Sequence, residues 1–163
     1  MTNINWQVEL TMFFNELESA QENAMSVLQR KQKSLANANV KEIQTVTEEE
    51  KASVERLEVC LKRRETLLEE AAKNKLPSDS IESLCKVLPQ NAGLTDRVKK
   101  SKHNSRLIQY QSLTNWVITQ RSVIHLNQLI ELIKNKGKKS PTYNKDKQKT
   151  NPNNGGNLVD KVA

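Results

Sequence analysis

The sequence predicts an all-α protein, an elongated antiparallel helical bundle or coiled coil of three long helices and one short helix, followed by a disordered basic tail. Two observations predict this class. Only four glycines and four prolines punctuate 163 residues, too few for the frequent turns that sandwiches, barrels and α/β folds require. Aromatic residues make up 4% of the chain and charged residues 28%, which excludes a large aromatic core and favours solvated helices.

The first segment predicts a helix that runs to about Ala36. From Val8 onward its apolar residues recur every three or four positions, the spacing of one helix face. Asn3 or Asn5 can cap its N-terminus because an Asn side chain accepts a hydrogen bond from the first helical turn. The break at 37–39 then separates this helix from the next.

The second helix is predicted to run from Val40 to Lys75. Asn39 followed three residues later by Glu42 is a capping-box pattern with Asn in the Ser or Thr position. Pro77 is expected to end the helix. Its seam positions advance by alternating steps of three and four residues, a heptad repeat. The repeat comprises Ile43, Val46, Glu50, Val54, Leu57, Leu61, Arg64, Leu68 and Ala71. Two charged members favour a bundle over a long zipper.

Two more helices follow. A short one is predicted from Ser80 to Val87, with Asp79 as its cap. The last helix is predicted from about Leu94 to Asn135. Its first half is basic, and its second half carries an apolar face wider than a bundle of this size needs. Either the two long partner helices cover this face, or it accepts an amphipathic helix from another protein.

The chain divides by charge into a balanced body and a basic tail. Residues 1 to 133 have a net charge of +1, whereas residues 134 to 163 have a net charge of +6. Gly137 is suited to end the last helix. We therefore predict a helical domain over 1–136 and a flexible basic tail over 137–163 that contains the segment Pro141-Thr142-Tyr143.

Composition and spacing exclude most chemical functions. The sequence has no glycine-rich phosphate loop, nucleophile elbow or metal-ligand spacing, so we predict no enzyme activity, no cofactor and no metal. Cys60 and Cys85 are expected to be small buried hydrophobes. No apolar run approaches the roughly 18 residues of a membrane span, so we predict no membrane insertion and a cytoplasmic location.

Two binding classes remain beside a helical chaperone. The basic segment from Lys99 to Arg106 and the tail could contact phosphates, but stacking aromatics are not interleaved with them, so no nucleic-acid binding is expected. A structural coiled-coil or adaptor protein is the main alternative. It would self-associate through the heptad helix, with Leu57 and Leu61 as the residues on which assembly depends.

Several motifs along the chain point to one family. In the helical part they are Leu35, the turn Asn37-Ala38-Asn39, Glu50-Lys51, Leu57, Leu61, Arg64 and Leu67-Leu68. Toward the end, an apolar helix is followed by Pro141-Thr142-Tyr143 and by a terminal run from Gly155 to Ala163. This pattern resembles the FlgN family of flagellar export chaperones, with its Thr-Tyr motif and closing Leu-Val-Asp-x-x-Ala segment.

The resemblance implies a non-enzymatic cytoplasmic chaperone of the flagellar type III export pathway. Its partners would be the C-terminal helices of the hook-filament junction proteins FlgK and FlgL, which it would keep from assembling early, and the export gate protein FlhA. We expect seven residues of the last helix to bind the junction proteins: Trp116, Val117, Val123, Ile124, Leu126, Ile130 and Ile133. Tyr143 is the candidate for the gate contact; the alternative is that it folds back onto the bundle. The oligomeric state is left open.

Overall fold

The computed structural model describes residues 4–89 and 92–135. They form four helices, α1 (Trp6–Ala36), α2 (Val40–Lys73), α3 (Ile81–Val87) and α4 (Ala92–Asn135). This confirms the predicted all-α class with three long helices and one short one. The chain divides into two units, Met1–His125 and Leu126–Ala163, and the described part of the second unit is the final stretch of α4.

Asparagine side chains start the first two helices as predicted. Asn5 Oδ1 accepts a hydrogen bond from the Val8 N–H at 3.3 Å. Asn39 Oδ1 accepts from the Glu42 N–H at 3.2 Å, while its Nδ2 donates to the Glu42 carboxylate at 3.4 Å. At the end of α1, Ala38 has a φ of 51°, the left-handed conformation that terminates many helices. The turn at 37–39 is thus fixed by local backbone and side-chain hydrogen bonds.

A residue in the left-handed conformation also ends α2, two residues before the predicted end. Lys75 has a φ of 58°, and the Leu76 N–H donates to the Ala71 carbonyl at 2.9 Å. This is the hydrogen-bond pattern of a Schellman motif. The helix therefore ends at Lys73 by its own backbone geometry, and Pro77 lies beyond that point.

The predicted cap of α3 was wrong by one residue. Ser80 is the N-cap, with extended backbone and with its Oγ accepting from the Ser83 N–H at 3.1 Å. Asp79 precedes the cap residue and stabilises the start of the helix, because its carboxylate accepts a hydrogen bond from the Ser83 hydroxyl at 2.7 Å. That hydrogen bond lowers the pKa of Asp79.

The buried line of α2 differs from the predicted heptad seam at three positions. The buried residues of α2 are Val46, Ser53, Cys60, Leu67 and Ala71. The first four are seven residues apart. The predicted seam instead contained Val54, Leu61 and Leu68, each of which directly follows one of these buried residues. Val54 is 48% exposed and Leu61 is 56% exposed.

Small side chains explain the displacement. Ser53 and Cys60 occupy the buried positions, and Cys60 lines a shallow cavity of about 450 Å³ with Ala20 of α1. Small residues let two helices approach closely, and packing complementarity then decides the register rather than hydrophobicity alone. Ion pairs from Arg30 to Glu49 and from Arg63 to Glu9 mark the antiparallel pairing of α1 with α2.

The main core lies where α3 meets the other three helices. Phe14 is its largest fully buried side chain, and the Phe13 ring lies 5.4 Å from it between centroids. The buried members of the core are Leu10, Phe13, Phe14, Leu67, Ala71, Ile81, Leu84, Cys85, Leu94 and Val98. α3 therefore contributes three core side chains despite its seven residues.

A charged contact holds α3 to α4. The Glu82 carboxylate accepts hydrogen bonds from Lys102 of α4 and forms an ion pair with Lys86 at 3.0 Å. The hydrogen bond from Lys102 is the main reason that the pKa of Glu82 falls from its ordinary 4.5 to about 2.

The displaced seam predicts unequal costs for two leucines of α2. Leu67 is 3% exposed, so Leu67→Ala should lower the free energy of unfolding by about 2–4 kcal/mol. Leu61→Ala removes the same atoms from an exposed site and should cost less than about 1 kcal/mol. Urea unfolding followed by far-UV circular dichroism measures both. Equal costs would support the seam through Leu61 instead.

The Glu82 contacts predict a dependence of stability on pH. A carboxyl group whose folded pKa is depressed stabilises the fold fully above its unfolded pKa, and this contribution is lost as the pH falls through the folded value. Glu82→Gln should therefore lower the urea midpoint at pH 7. The difference from the original protein should shrink between about 4.5 and about 2.

The control for this series is Glu58→Gln, which changes an exposed residue of α2. It should leave the urea midpoint nearly unchanged at pH 7. A destabilisation by Glu82→Gln that persists undiminished at pH 2 would contradict the role given to the charged carboxylate.

Candidate partner-binding surface

α4 runs alongside α1 in the same direction. The contacts between them progress toward the C-terminus of both helices, from Glu18 with Arg97 at 2.8 Å through Gln21 with Ser101 at 3.0 Å to Leu28 with Asn115 at 2.8 Å. The residues of α4 on this side step by three and four positions, from Arg97 to Asn115. We call this the inner line of α4; its members are Arg97, Ser101, Asn104, Ile108, Gln111 and Asn115.

The inner line is mostly polar, in contrast to the contact between α1 and α2. Gln21 of α1 is buried, and its amide donates to the Ser101 carbonyl at 3.0 Å and to the Ser105 hydroxyl at 3.0 Å. Asn115 of α4 is buried as well and donates to the Leu28 carbonyl at 2.8 Å. Buried amides are costly without partners, so these hydrogen bonds fix which residues of α4 face α1.

Charged groups hold the N-terminal part of α4. Arg97 donates to Glu18 at 2.8 Å and to Asn15 at 2.6 Å, and its guanidinium lies 5.5 Å from the centre of the Phe14 ring. Lys100 pairs with Glu18 at 3.3 Å. The hydrogen bond from Arg97 is the largest cause of the lowered pKa of Glu18, so this carboxylate is held in its charged form.

The seven residues expected to bind a partner are largely exposed. In the first unit, Trp116 is 59%, Val123 is 49% and Ile124 is 56% exposed, whereas Val117 is half-buried. In the second unit, the exposed fractions are 57% for Leu126, 39% for Ile130 and 71% for Ile133. Every residue from 120 to 135 is exposed.

Five of the seven share one heptad line. Trp116, Val123 and Ile130 are seven residues apart, and Leu126 and Ile133 each follow a member of that series by three positions. We call these five residues the C-terminal seam. Such spacing places side chains along one side of a helix, as in coiled-coil pairing. Val117 and Ile124 each follow a seam residue by one position and fall outside this line.

Sequence reasoning left five exposed apolar residues of α4 out of the site. Leu129 is 43% and Leu132 is 64% exposed, and farther upstream Leu107 is 43%, Tyr110 is 71% and Leu113 is 59% exposed. Leu129 and Leu132 belong to the same apolar stretch and could have been found from it. Tyr110 and Leu113 follow the basic segment, and no apolar cluster of their own marks them in the sequence.

Other predicted features are placed as follows. Cys60 and Cys85 are buried, as predicted, and burial raises the pKa of the Cys85 thiol to about 11. Tyr143, the boundary between 136 and 137, and the basic tail lie outside the described residues. Within 4–89 and 92–135, none of the helices is long and apolar enough to span a membrane.

Comparison with known proteins gives one match. The model of a family described as FlgN protein matches residues 1–151, which is most of the chain. No curated protein and no solved structure matches it.

Proposed function

Since this chain belongs to the FlgN family of flagellar proteins, whose general role is that of a flagellar export chaperone, we propose specific partners for it. They are the C-terminal helices of the hook-filament junction proteins FlgK and FlgL. Binding prevents these helices from assembling before export. The chaperone then delivers the junction proteins to the export gate, and it acts without a covalent step or a cofactor.

The observation that carries this proposal is the exposed C-terminal seam. A heptad line of Trp, Val, Leu and Ile side chains is the surface that an amphipathic partner helix needs. β-branched residues at Val123 and Ile130, with Leu126 between them, are typical of positions that pack in knobs-into-holes fashion. Burial of such side chains stabilises a complex by about 1.5–3 kcal/mol each before the costs of association.

The residues beside the seam indicate how a partner is recognised. Gln120, Ser122 and Asn127 flank most of it and carry no charge, and Lys134 flanks its end. Ion pairs at flanking positions normally set the orientation and salt dependence of paired helices. Binding at the seam should therefore rest on apolar burial and vary little with salt.

We place the gate contact at Tyr143 and the whole cycle in the cytoplasm, where export substrates are made. An aromatic side chain beside Pro141 in the basic tail offers a compact anchor for FlhA. The competing role for Tyr143 is to pack onto the chaperone's own helices. Loss of FlhA binding in Tyr143→Ala, with junction-protein binding retained, distinguishes the first role from the second.

A direct test removes the apolar character of the seam. The double change Val123→Asp with Ile130→Asp should reduce affinity for the C-terminal segments of FlgK and FlgL by roughly 100-fold or more, because two apolar contacts are lost and charge is buried. Co-elution on size exclusion at low and moderate salt measures this. Helical content should persist, since both residues are exposed.

The matched control is Val40→Asp with Val59→Asp on α2, where the exposed fractions are 76% and 64%. This variant adds the same charge and should bind normally. Retained binding by the seam variant would overturn the site assignment, and absence of a complex with the unchanged protein would overturn the choice of partners.

A second candidate function is self-association through α2, as in a structural coiled coil. The observation that favours it is the exposure of Val54 and Leu61, which lie seven residues apart on this helix, while Leu57 is half-buried. If this line forms a homotypic contact, the protein elutes as an oligomer and Leu61→Asp converts it to a monomer. Light scattering during size exclusion measures the mass, and a monomeric unchanged protein excludes this function.

A further inference from the structure

A second line of exposed residues runs along α4 on the side opposite α1. Its members from Lys99 to Leu113 each lie two positions after a member of the inner line, and two residues of an α-helix turn through about 200°. Ile124 lies farther along the same steps of three and four residues. We call it the outer stripe; the residues that matter in it are Lys99, His103, Arg106, Tyr110, Leu113 and Ile124. All six belong to the first unit, and none belongs to the C-terminal seam.

The stripe changes in chemistry along its length. Its first part carries the basic side chains of Lys99, His103 and Arg106, and its second part carries Tyr110 at 71%, Leu113 at 59% and Ile124 at 56% exposure. At 1.5 Å per residue, the stripe extends over about 37 Å. Exposed apolar side chains in line with exposed basic ones are typical of an interaction site.

The basic side chains are available for a partner. Among residues 4–89 and 92–135, neither His103 nor Arg106 forms an ion pair. Lys99 lies 3.9 Å from Asp96, but both side chains are more than three-quarters exposed, so this pair contributes little. By contrast, the neighbouring Lys100 and Lys102 are engaged with Glu18 and Glu82. Among the basic residues from Arg97 to Arg106, those not engaged with another helix are Lys99, His103 and Arg106.

We propose that the outer stripe binds a partner helix whose matching face is acidic at one end and apolar at the other. The heptad steps of the stripe suit the packing of a helix along it. Charge complementarity selects the acidic end, and Tyr110 and Leu113 bury the apolar end. An anionic membrane surface is a poorer fit, because a bilayer favours basic and apolar residues side by side along the whole helix, whereas here they are separated lengthwise.

The test uses the full chain and a defined probe. The probe is a synthetic amphipathic peptide with glutamates at its first three heptad positions and leucines at the following ones; its counterpart carries lysines in place of the glutamates. In fluorescence anisotropy the glutamate peptide should bind, and the lysine peptide should not. Affinity should fall as salt rises, because the charges lie at an exposed surface.

Two substitutions locate the binding. Arg106→Glu and Leu113→Ser should each weaken binding of the glutamate peptide by about tenfold or more. Their controls are Lys62→Glu and Val59→Ser, at exposed positions of α2, which should bind as the unchanged protein does. Val123→Asp with Ile130→Asp should also retain peptide binding, so the proposed chaperone site and the outer stripe succeed or fail separately.

Three results would overturn the proposal. The first is that the glutamate peptide does not bind. The second is binding that Arg106→Glu and Leu113→Ser leave unchanged. The third is that phosphatidylglycerol vesicles bind the unchanged protein but neither variant, while the peptide does not bind. The stripe would then be a lipid-binding surface.

Discussion

The described part of the chain depends on α1, because this helix buries two faces of different chemistry. Toward α2 it presents small residues such as Ala20, which is almost fully buried and lies beside Cys60. Toward α4 it presents Gln21 and the Leu28 carbonyl, which exchange hydrogen bonds with Ser101 and Asn115. The first contact is driven by burial of apolar surface, whereas the second is held by specific hydrogen bonds. One helix thus organises both neighbours by different forces.

The polar contact has a consequence for the surface of α4. A shift of α4 by one residue would leave the amides of Gln21 and Asn115 without partners, and each buried unsatisfied group costs about 1–3 kcal/mol. The register of α4 is therefore fixed by its polar side chains. Since polar residues occupy most of the inner line, many apolar residues of this helix beyond Val98, such as Leu113 and Val123, lie at other positions and are exposed. The binding surfaces follow from how α4 is held.

The starts of α1 and α2 were predictable from the sequence, because the side chains of Asn5 and Asn39 determine them through local hydrogen bonds. The buried seam of α2 was not, since hydrophobicity ranks Val54 and Leu61 above Ser53 and Cys60, and only the close approach of α1 reverses that order. The α3 cap was missed because Asp79 and Ser80 are both good capping residues. At the site, Trp116 and Ile130 are exposed, but the half-burial of Val117 depends on tertiary packing that spacing does not reveal.

The two exposed lines of α4 would recognise partners by different physics. The C-terminal seam is flanked by uncharged residues such as Gln120 and Asn127 and offers apolar burial, which is non-directional. The outer stripe places Arg106 next to Tyr110, so charge sets the orientation of what binds there. Allosteric coupling between two sites requires a structural element that has two conformations, with an equilibrium that both partners shift. The hydrogen bonds of Gln21 and Asn115 oppose a second arrangement of α4, so the geometry favours independent binding at the two lines over allosteric exchange between them.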